Sequence, residues 1–355
     1  MTLRRTLGAL AAVATLTTLA ACGTDDAPSS TDAGTAAADA ATDEDATLLI
    51  YSGRSEDLVG PLLADLEAAV GVPVEIRYAD SAELAAQLAE EGDRSPADVF
   101  FSQDAGALGA LAKADMLADL PEDVTAEVPE ELRDASGSWV ATSARARVLV
   151  YNDEQAPEVT GFDSVDDLLD ESYAGKIGYA PTNASWQSFV TALRVMRGED
   201  GAEQWLTQFA ALDPVAYEKN GAVLQAVNDG EVAVGLINHY YWFPLAAELG
   251  EENMAAQIHF LDADDPGALI NVAGAGVLAT SDQPDAAQAA VSYLLSQDAQ
   301  QYFADETAEL PVVGGVTSSV YDVGSLDEMT GARLDLNDLD SLPETQALLE
   351  QVGLL

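Results

Sequence analysis

The spacing of apolar residues changes several times along the chain, and each change marks an element. "TLLIYS" (47–52) is a short apolar run of the kind a buried strand carries. "SEDLVGPLLADLEAAV" (55–70) then repeats its apolar positions at three- and four-residue intervals, with Ser55 placed to cap a helix. "VPVEIRYA" (72–79) and "ADVFFS" (97–102) read as further strands, while "SAELAAQLAEEG" (81–92) and "AGALGALAKADML" (105–117) read as helices. This β-α-β-α-β-α alternation predicts a parallel sheet, with its ligand-facing loops beyond the carboxyl ends of the strands.

A different texture begins with "SWVATSARARVLVYND" (138–153), a β-rich run long enough to cross from one lobe to another. Beyond it lie "GKIGYA" (175–180), the helices "SWQSFVTALRVMRG" (185–198) and "GAEQWLTQFAAL" (201–212), the strand "PVAYE" (214–218), the helix "GAVLQAVNDG" (221–230) and the strand "VAVGLIN" (232–238). "ALINVAGAGVLAT" (268–280) would carry the chain back, and the helix at 284–307 and the C-terminal "SLPETQALLEQVGLL" would pack on the first lobe. About 309 residues follow Thr47, more than one core usually serves. The expected fold is therefore α/β, with two lobes hinged by two β crossings around a ligand cleft: 47–143 plus 274–355 for lobe 1, and 144–273 for lobe 2.

Composition narrows the setting. Arg4 and Arg5 precede an apolar stretch, Leu7 to Ala20, too short to span a bilayer, so 1–21 reads as a secretory signal. It ends in "LAAC", which resembles a bacterial lipobox. The implied product carries lipid on Cys22 and sits at the outer face of the cell membrane, held by that anchor alone. Residues 23–46 contain no aromatic or large aliphatic side chain and read as an acidic tether, because nothing in them can offset the entropy of ordering. Sixty-two acids against 14 basic residues give a formal charge of −48, which argues against nucleic-acid partners and against adsorption to anionic lipid. The single cysteine allows no intramolecular disulfide, and two histidines cannot build a histidine-rich metal site. No GxGxxG follows the first strand, and no P-loop, HExxH or GxSxG occurs, so the signals of an enzyme are missing.

One stretch carries chemistry: "VGLINHYYWFP" (234–244). Adjacent side chains on a strand point to opposite faces, so Tyr240 and Tyr241 converge only if the strand ends before them. It is expected to end at Asn238, with Pro244 opening the next helix, which puts the pair on a turn at the strand's carboxyl end. Phenolates are hard anionic ligands suited to a trivalent hard cation, since a phenol of pKa ≈ 10 ionises at neutral pH only against strong positive charge. The same two rings could instead stack on an organic ligand or simply pack.

The chain resembles the ferric-ion-binding proteins of bacterial ABC importers, in the type II periplasmic-binding-protein superfamily. The likeness rests on "IYSGRSE", "ADVFFSQDAGALGAL", "ARARVLVYN", "GKIGYAPTNASWQSFVTALR", "NGAVLQAVNDGEVAVGLINHYYWF" and "VAGAGVLATS" and covers most of 47–316. It implies a monomeric solute-binding protein that delivers Fe3+ to an ABC permease, with Tyr240 and Tyr241 as phenolate ligands. It also implies a synergistic anion (carbonate, phosphate or citrate) held by Asn220 and Asn238, eighteen residues apart, and by Asn183 and Ser185 at a helix start. Arg54 is the natural charge partner of that anion, and Arg145 and Arg147 alternate along the crossing run so that both could face the cleft. Where the family commonly places a histidine, a glutamate or a further tyrosine ligand, this chain has Ser55, Gln103 and Trp186, leaving Glu56 and Tyr151 as substitutes. His239 is expected to play a supporting role. The competing expectation keeps the clamp for an organic anion, phosphonate, thiamine-like cation or polyamine, with Trp186, Trp242 and Tyr241 as a stacking box.

Overall fold

The long crossing run is a single strand in the computed structural model, which describes residues 47–326 and 334–355. The expected signal and the lipidated Cys22 with its tether lie outside the described residues. The chain begins with β1 (Leu48–Ser52), α1 (Glu56–Leu63), α2 (Leu66–Val70), β2 (Val74–Tyr78), α3 (Ser81–Glu91), β3 (Val99–Ser102), α4 (Ala105–Lys113) and the single turn α5 (Glu122–Thr125). β4 (Trp139–Asn152), β5 (Ile177–Tyr179), α6 (Ala184–Ala211), β6 (Val215–Ala216), α7 (Asn220–Asn228), β7 (Val234–Asn238), α8 (Trp242–Leu249) and β8 (Ala256–His259) follow. β9 (Ile270–Val277), α9 (Pro284–Leu294), α10 (Gln297–Glu306) and α11 (Leu342–Val352) complete it.

The sheet runs β2-β1-β3-β9-β4-β7-β5-β6, with β8 also paired to β4. β2, β1 and β3 are parallel, as the βαβ alternation requires, and β9 is antiparallel to β3. β4 joins the two halves. Its residues up to Ala146 pair with β9, and from Arg147 onward it pairs with β7. The expected crossing therefore falls at Ala146–Arg147, in the middle of "ARARV". A third segment runs beside it, where Leu310 and Ala144 exchange backbone bonds of 2.9 and 2.8 Å.

Period-two alternation sorts the side chains of the second half. Leu149 and Tyr151 of β4, with Val234 and Leu236 of β7, enter the core under α6. Val148 and Val150, with Ile237, enter the core under α7 and α8. A separate, larger core holds β1, β3, β9 and the helices of the first half.

Local details depart from expectation for identifiable reasons. The helix foreseen at 55–70 breaks at Ala64–Asp65, where the Asp65 N–H turns back to the Leu62 carbonyl at 3.3 Å, just after Pro61 removes one helical donor. That foreseen at 284–307 divides before Ser296, whose hydroxyl accepts from the Ala299 N–H at 3.2 Å and caps α10. α6 contains both helices foreseen at 185–198 and 201–212, bent at Gly198, where φ is 72°. The C-terminal helix corrects the expected lobe division. α11 packs on α6, and Leu348, Leu349 and Leu354 join the core of the second half, not the first.

Candidate functional site

β7 ends at Asn238, and a 3-10 turn, His239–Tyr241, leads directly into α8. That helix begins at Trp242, two residues earlier than foreseen, with Pro244 in its first turn, where a missing N–H costs no bond. On this turn the Tyr240 and Tyr241 rings stack, centroids 4.4 Å apart at 28°. Tyr240 is buried against the first core, while Tyr241 is half-buried and touches both the first core and the core beneath α8. His239 is buried and accepts the Ala146 N–H on Nδ1 at 3.2 Å. Burial drives its pKa down to about 4, so it stays neutral and acts as a backbone acceptor at the crossing.

The crossing strand supplies one guanidinium to each phenol's surroundings. Arg145 bears electrostatically on Tyr240, and Arg147 on Tyr241. The Tyr240 pKa is pushed well above the ordinary 10, first by burial, then by Tyr241 and Glu309, with Arg145 opposing. Burial lowers Arg147 to about 9, with Tyr241 partly offsetting it, so the guanidinium is charged at neutral pH. Arg147 donates to the Ser185 hydroxyl at 3.1 Å and to the Leu236 carbonyl at 3.1 Å. The Ser185 hydroxyl also accepts from Asn220 Nδ2 at 2.8 Å and donates to Asn183 Oδ1 at 2.7 Å. Asn183 caps α6 by accepting the Ser185 N–H at 3.0 Å, and Asn238 pairs with Arg147 across β7 and β4.

Four polar side chains from α6, α7 and β4 thus form one bonded cluster beside the tyrosine turn. Its buried Arg147 Nε and Asn220 Oδ1 have no protein partner, nor do Nε and Nη1 of Arg145. Arg54, Arg145, Arg147 and Arg194 are all buried, four of only 14 basic residues in a strongly acidic chain. Three of them, Arg54, Arg145 and Arg147, gather around the crossing, while Arg194 lies on α6 against Glu199 and Ser341. Two guanidiniums beside two phenols suit a hard cation only when an anion lies among them, because the bare charges would repel.

Other foreseen residues lie elsewhere. Arg54 donates to Glu309 at 2.6 Å and to the Ser143 hydroxyl at 3.2 Å, both side chains of the ion pair being fully buried, so its charge is already matched. Trp186 is fully buried among Tyr179, Phe189 and Phe209, and the Trp242 indole donates to the Ala256 carbonyl at 2.7 Å, so the proposed stacking box does not form. Tyr151 belongs to the core under α6, four residues along β4 from Arg147. Ser55 and Glu56 sit exposed at the start of α1, and Gln103 offers its carbonyl to Arg145. Among the described residues no group of three or more His, Cys, Asp or Glu could hold a metal ion.

Two acids escaped sequence reading. Asp104 caps α4 through the Gly106 N–H at 2.7 Å, accepts from Asn271 at 2.7 Å, faces Arg145 at 3.9 Å and also accepts the Ser188 hydroxyl of α6. Glu309 could have drawn notice as a lone acid in "AELPVV", beside Leu310, which pairs with Ala144 of β4.

Two halves joined by crossing strands, with polar groups gathered at the crossing, define a two-lobed solute-binding protein. The chain belongs to the bacterial extracellular solute-binding protein family, whose profile it matches over residues 94–330. It is 34% identical over 324 residues to the major ferric iron-binding protein of Neisseria meningitidis, covering 90% of this chain and 96% of that one. The Fe(3+)-binding periplasmic protein of Serratia marcescens is 30% identical, over 89% of this chain and 93% of its own. Among solved structures, iron-bound HitA from Pseudomonas aeruginosa superposes with a TM-score of 0.80 at 34% identity, over 86% of this chain and 99% of that one. A Trichodesmium protein (IdiA, FutA) in complex with iron and citrate gives 0.72 at 26% identity, over 87% and 100%. The chain is accordingly a binding protein and not an enzyme, of a family that works outside the cytoplasm. Among the described residues no helix is long and apolar enough to cross a membrane.

Proposed function

We propose that the cleft captures ferric iron between the phenolate oxygens of Tyr240 and Tyr241, together with a small anion, and that the loaded protein delivers it to an ABC permease. The observation that carries this reading is the stacked phenol pair set beside two buried, charged guanidiniums. The relatives named for ferric iron support the cargo, and the iron-and-citrate complex of the Trichodesmium protein supports the accompanying anion.

In this reading Tyr240 and Tyr241 contribute two negative charges against three. The anion (carbonate, phosphate or citrate) supplies the remaining charge and coordination. Arg147, Asn220, Ser185 and Asn183 hold it, with Asn238 at the end of β7 beside them. Arg145 adds positive charge on the Tyr240 side. Arg54 is reserved for Glu309 and keeps the crossing rigid. Lobe 1 is taken as 47–143 with the return segment from 274, lobe 2 as 144–273 with α11 added. A lipid on Cys22 would keep a monomer at the membrane near its permease.

Metal analysis and the visible spectrum of protein purified from iron-rich medium test the proposal. About one iron per chain with a phenolate-to-iron charge-transfer band is expected. A colourless protein that ignores iron but binds an organic anion, phosphonate, thiamine-like cation or polyamine in calorimetry would overturn it.

A further inference from the structure

The last described segment packs into both halves. Leu336 and Leu339 lie in the core of the first half, whereas Leu348, Leu349 and Leu354 lie in the core under α6. The two attachments differ in chemistry. On the first side, the turn Leu336–Asp340 presses its backbone on two glycines of α4: a Cβ at Gly106 would stand 2.3 Å from the Leu339 carbonyl oxygen, and one at Gly109 would stand 3.1 Å from the Asn337 Cα. Asn337 Oδ1 accepts from the Trp139 indole at 3.1 Å, and Lys113 meets Asp340 at 2.9 Å. On the second side, Arg194 of α6 donates to the Ser341 carbonyl at 2.9 Å and to the Thr345 hydroxyl at 2.8 Å, and the Thr191 and Thr345 hydroxyls bond at 2.7 Å.

Asp340, held by Lys113, is followed directly by Ser341, held by Arg194. One extended residue spans at most about 3.6 Å, so this link has almost no slack. Beneath it, a cavity of about 270 Å³ lies between α3, α4 and α6, with Ala85, Ala110 and Ala184 in its lining. Across that gap the bond from Ser188 to Asp104 is a side-chain contact, and the C-terminal segment is the covalent one.

We propose that residues 335–355 act as a strap that fixes one edge of the clamp, so that the lobes part by rotating about a line through Asp340–Ser341 and the β4 crossing at Ala146–Arg147. The strap limits how far the ligand-free protein opens and slows the escape of whatever the cleft encloses. The pivot rests on the two-lobe fold and not on the identity of the cargo.

The test compares wild type with the full-length variant Gly109→Val/Asn337→Ala, which disturbs only the first attachment. Small-angle X-ray scattering of the ligand-free proteins should show a larger radius of gyration and a broader distance distribution in the variant. Capture of released iron by an excess chelator should be at least tenfold faster, with the circular dichroism spectrum unchanged. Scattering that superposes on wild type in a folded variant overturns the strap, whether or not the protein takes iron. Hydrogen exchange on wild type removes dependence on the variant's folding. Amides of 335–352 should slow together when the cleft closes on iron; amides whose rates ignore loading, in protein whose spectrum reports bound iron, overturn the strap as well.

Discussion

The rings of Tyr240 and Tyr241 stack at 4.4 Å although the residues are adjacent in sequence. A strand would have sent them to opposite faces, and the 3-10 turn after Asn238 is what brings them together. Replacing either phenol by phenylalanine keeps the stack and removes one donor. Each single variant should lose at least about a hundredfold in iron affinity, near 3 kcal/mol. The double variant should show no charge-transfer band while its thermal unfolding stays within a few degrees of wild type. Calorimetry, visible absorption and melting curves measure the three quantities, and a coloured double variant would refute the ligand assignment.

Proton linkage gives a second test. The Tyr240 pKa stands well above 10, so the group is protonated at physiological pH until a cation displaces the proton. Iron binding through the Tyr240 phenolate releases that proton, which makes the affinity fall about tenfold per pH unit as the medium is acidified. The apparent dissociation constant, measured by chelator competition between pH 6 and 8, should therefore rise at least about tenfold per unit of acidification once the chelator's own protonation is subtracted. A pH-independent constant would mean that neither oxygen ionises on binding.

Much of this was legible in the sequence because it depends on local rules. The turn at Tyr240–Tyr241 follows from where an apolar run stops, and the placement of Arg145 and Arg147 on one side of β4 follows from period two. What escaped depends on distance in the chain. Arg54 looks like a free cleft cation until Glu309, 255 residues later, is brought against it. Trp186 sits one residue from Ser185, yet helical geometry turns it into the aromatic core, where its ring lies under the Arg147 guanidinium at 5.9 Å while the Ser185 hydroxyl accepts from that arginine. The placement of α11 escaped for the same reason, since an amphipathic helix shows that it has an apolar face without showing which core receives it.

His239 offers a stability test that needs no metal. Its folded pKa of about 4 lies below the ordinary value of 6.5, because burial disfavours the imidazolium. A depressed pKa means the folded state binds fewer protons than the unfolded chain between these values. The stabilisation is present above pH 6.5 and is lost as pH falls toward 4, by about 3 kcal/mol in all. His239→Asn places an acceptor where Nδ1 stands and cannot titrate. Urea denaturation at pH 7 and pH 4.5 should show a smaller acid loss in the variant; equal losses in both proteins would place the acid sensitivity elsewhere.

Gly235 connects packing to the anion cluster. A Cβ there would lie 2.4 Å from Val223 Cγ1 and 3.2 Å from the Gly178 carbonyl oxygen, so α7 approaches β7 as closely as a bare backbone allows. Val223 lies one helical turn from Asn220, whose amide donates to the Ser185 hydroxyl. Gly235→Ala should push α7 outward, costing about 1–3 kcal/mol in unfolding free energy, typical of overpacking. Because Asn220 rides on the displaced helix while Tyr240 and Tyr241 stay on their turn, the variant should retain a charge-transfer band with iron alone. Its gain in affinity on adding carbonate, phosphate or citrate should shrink several-fold relative to wild type. Titrations with and without each anion measure that gain, and an undiminished response would separate the α7 contact from anion binding.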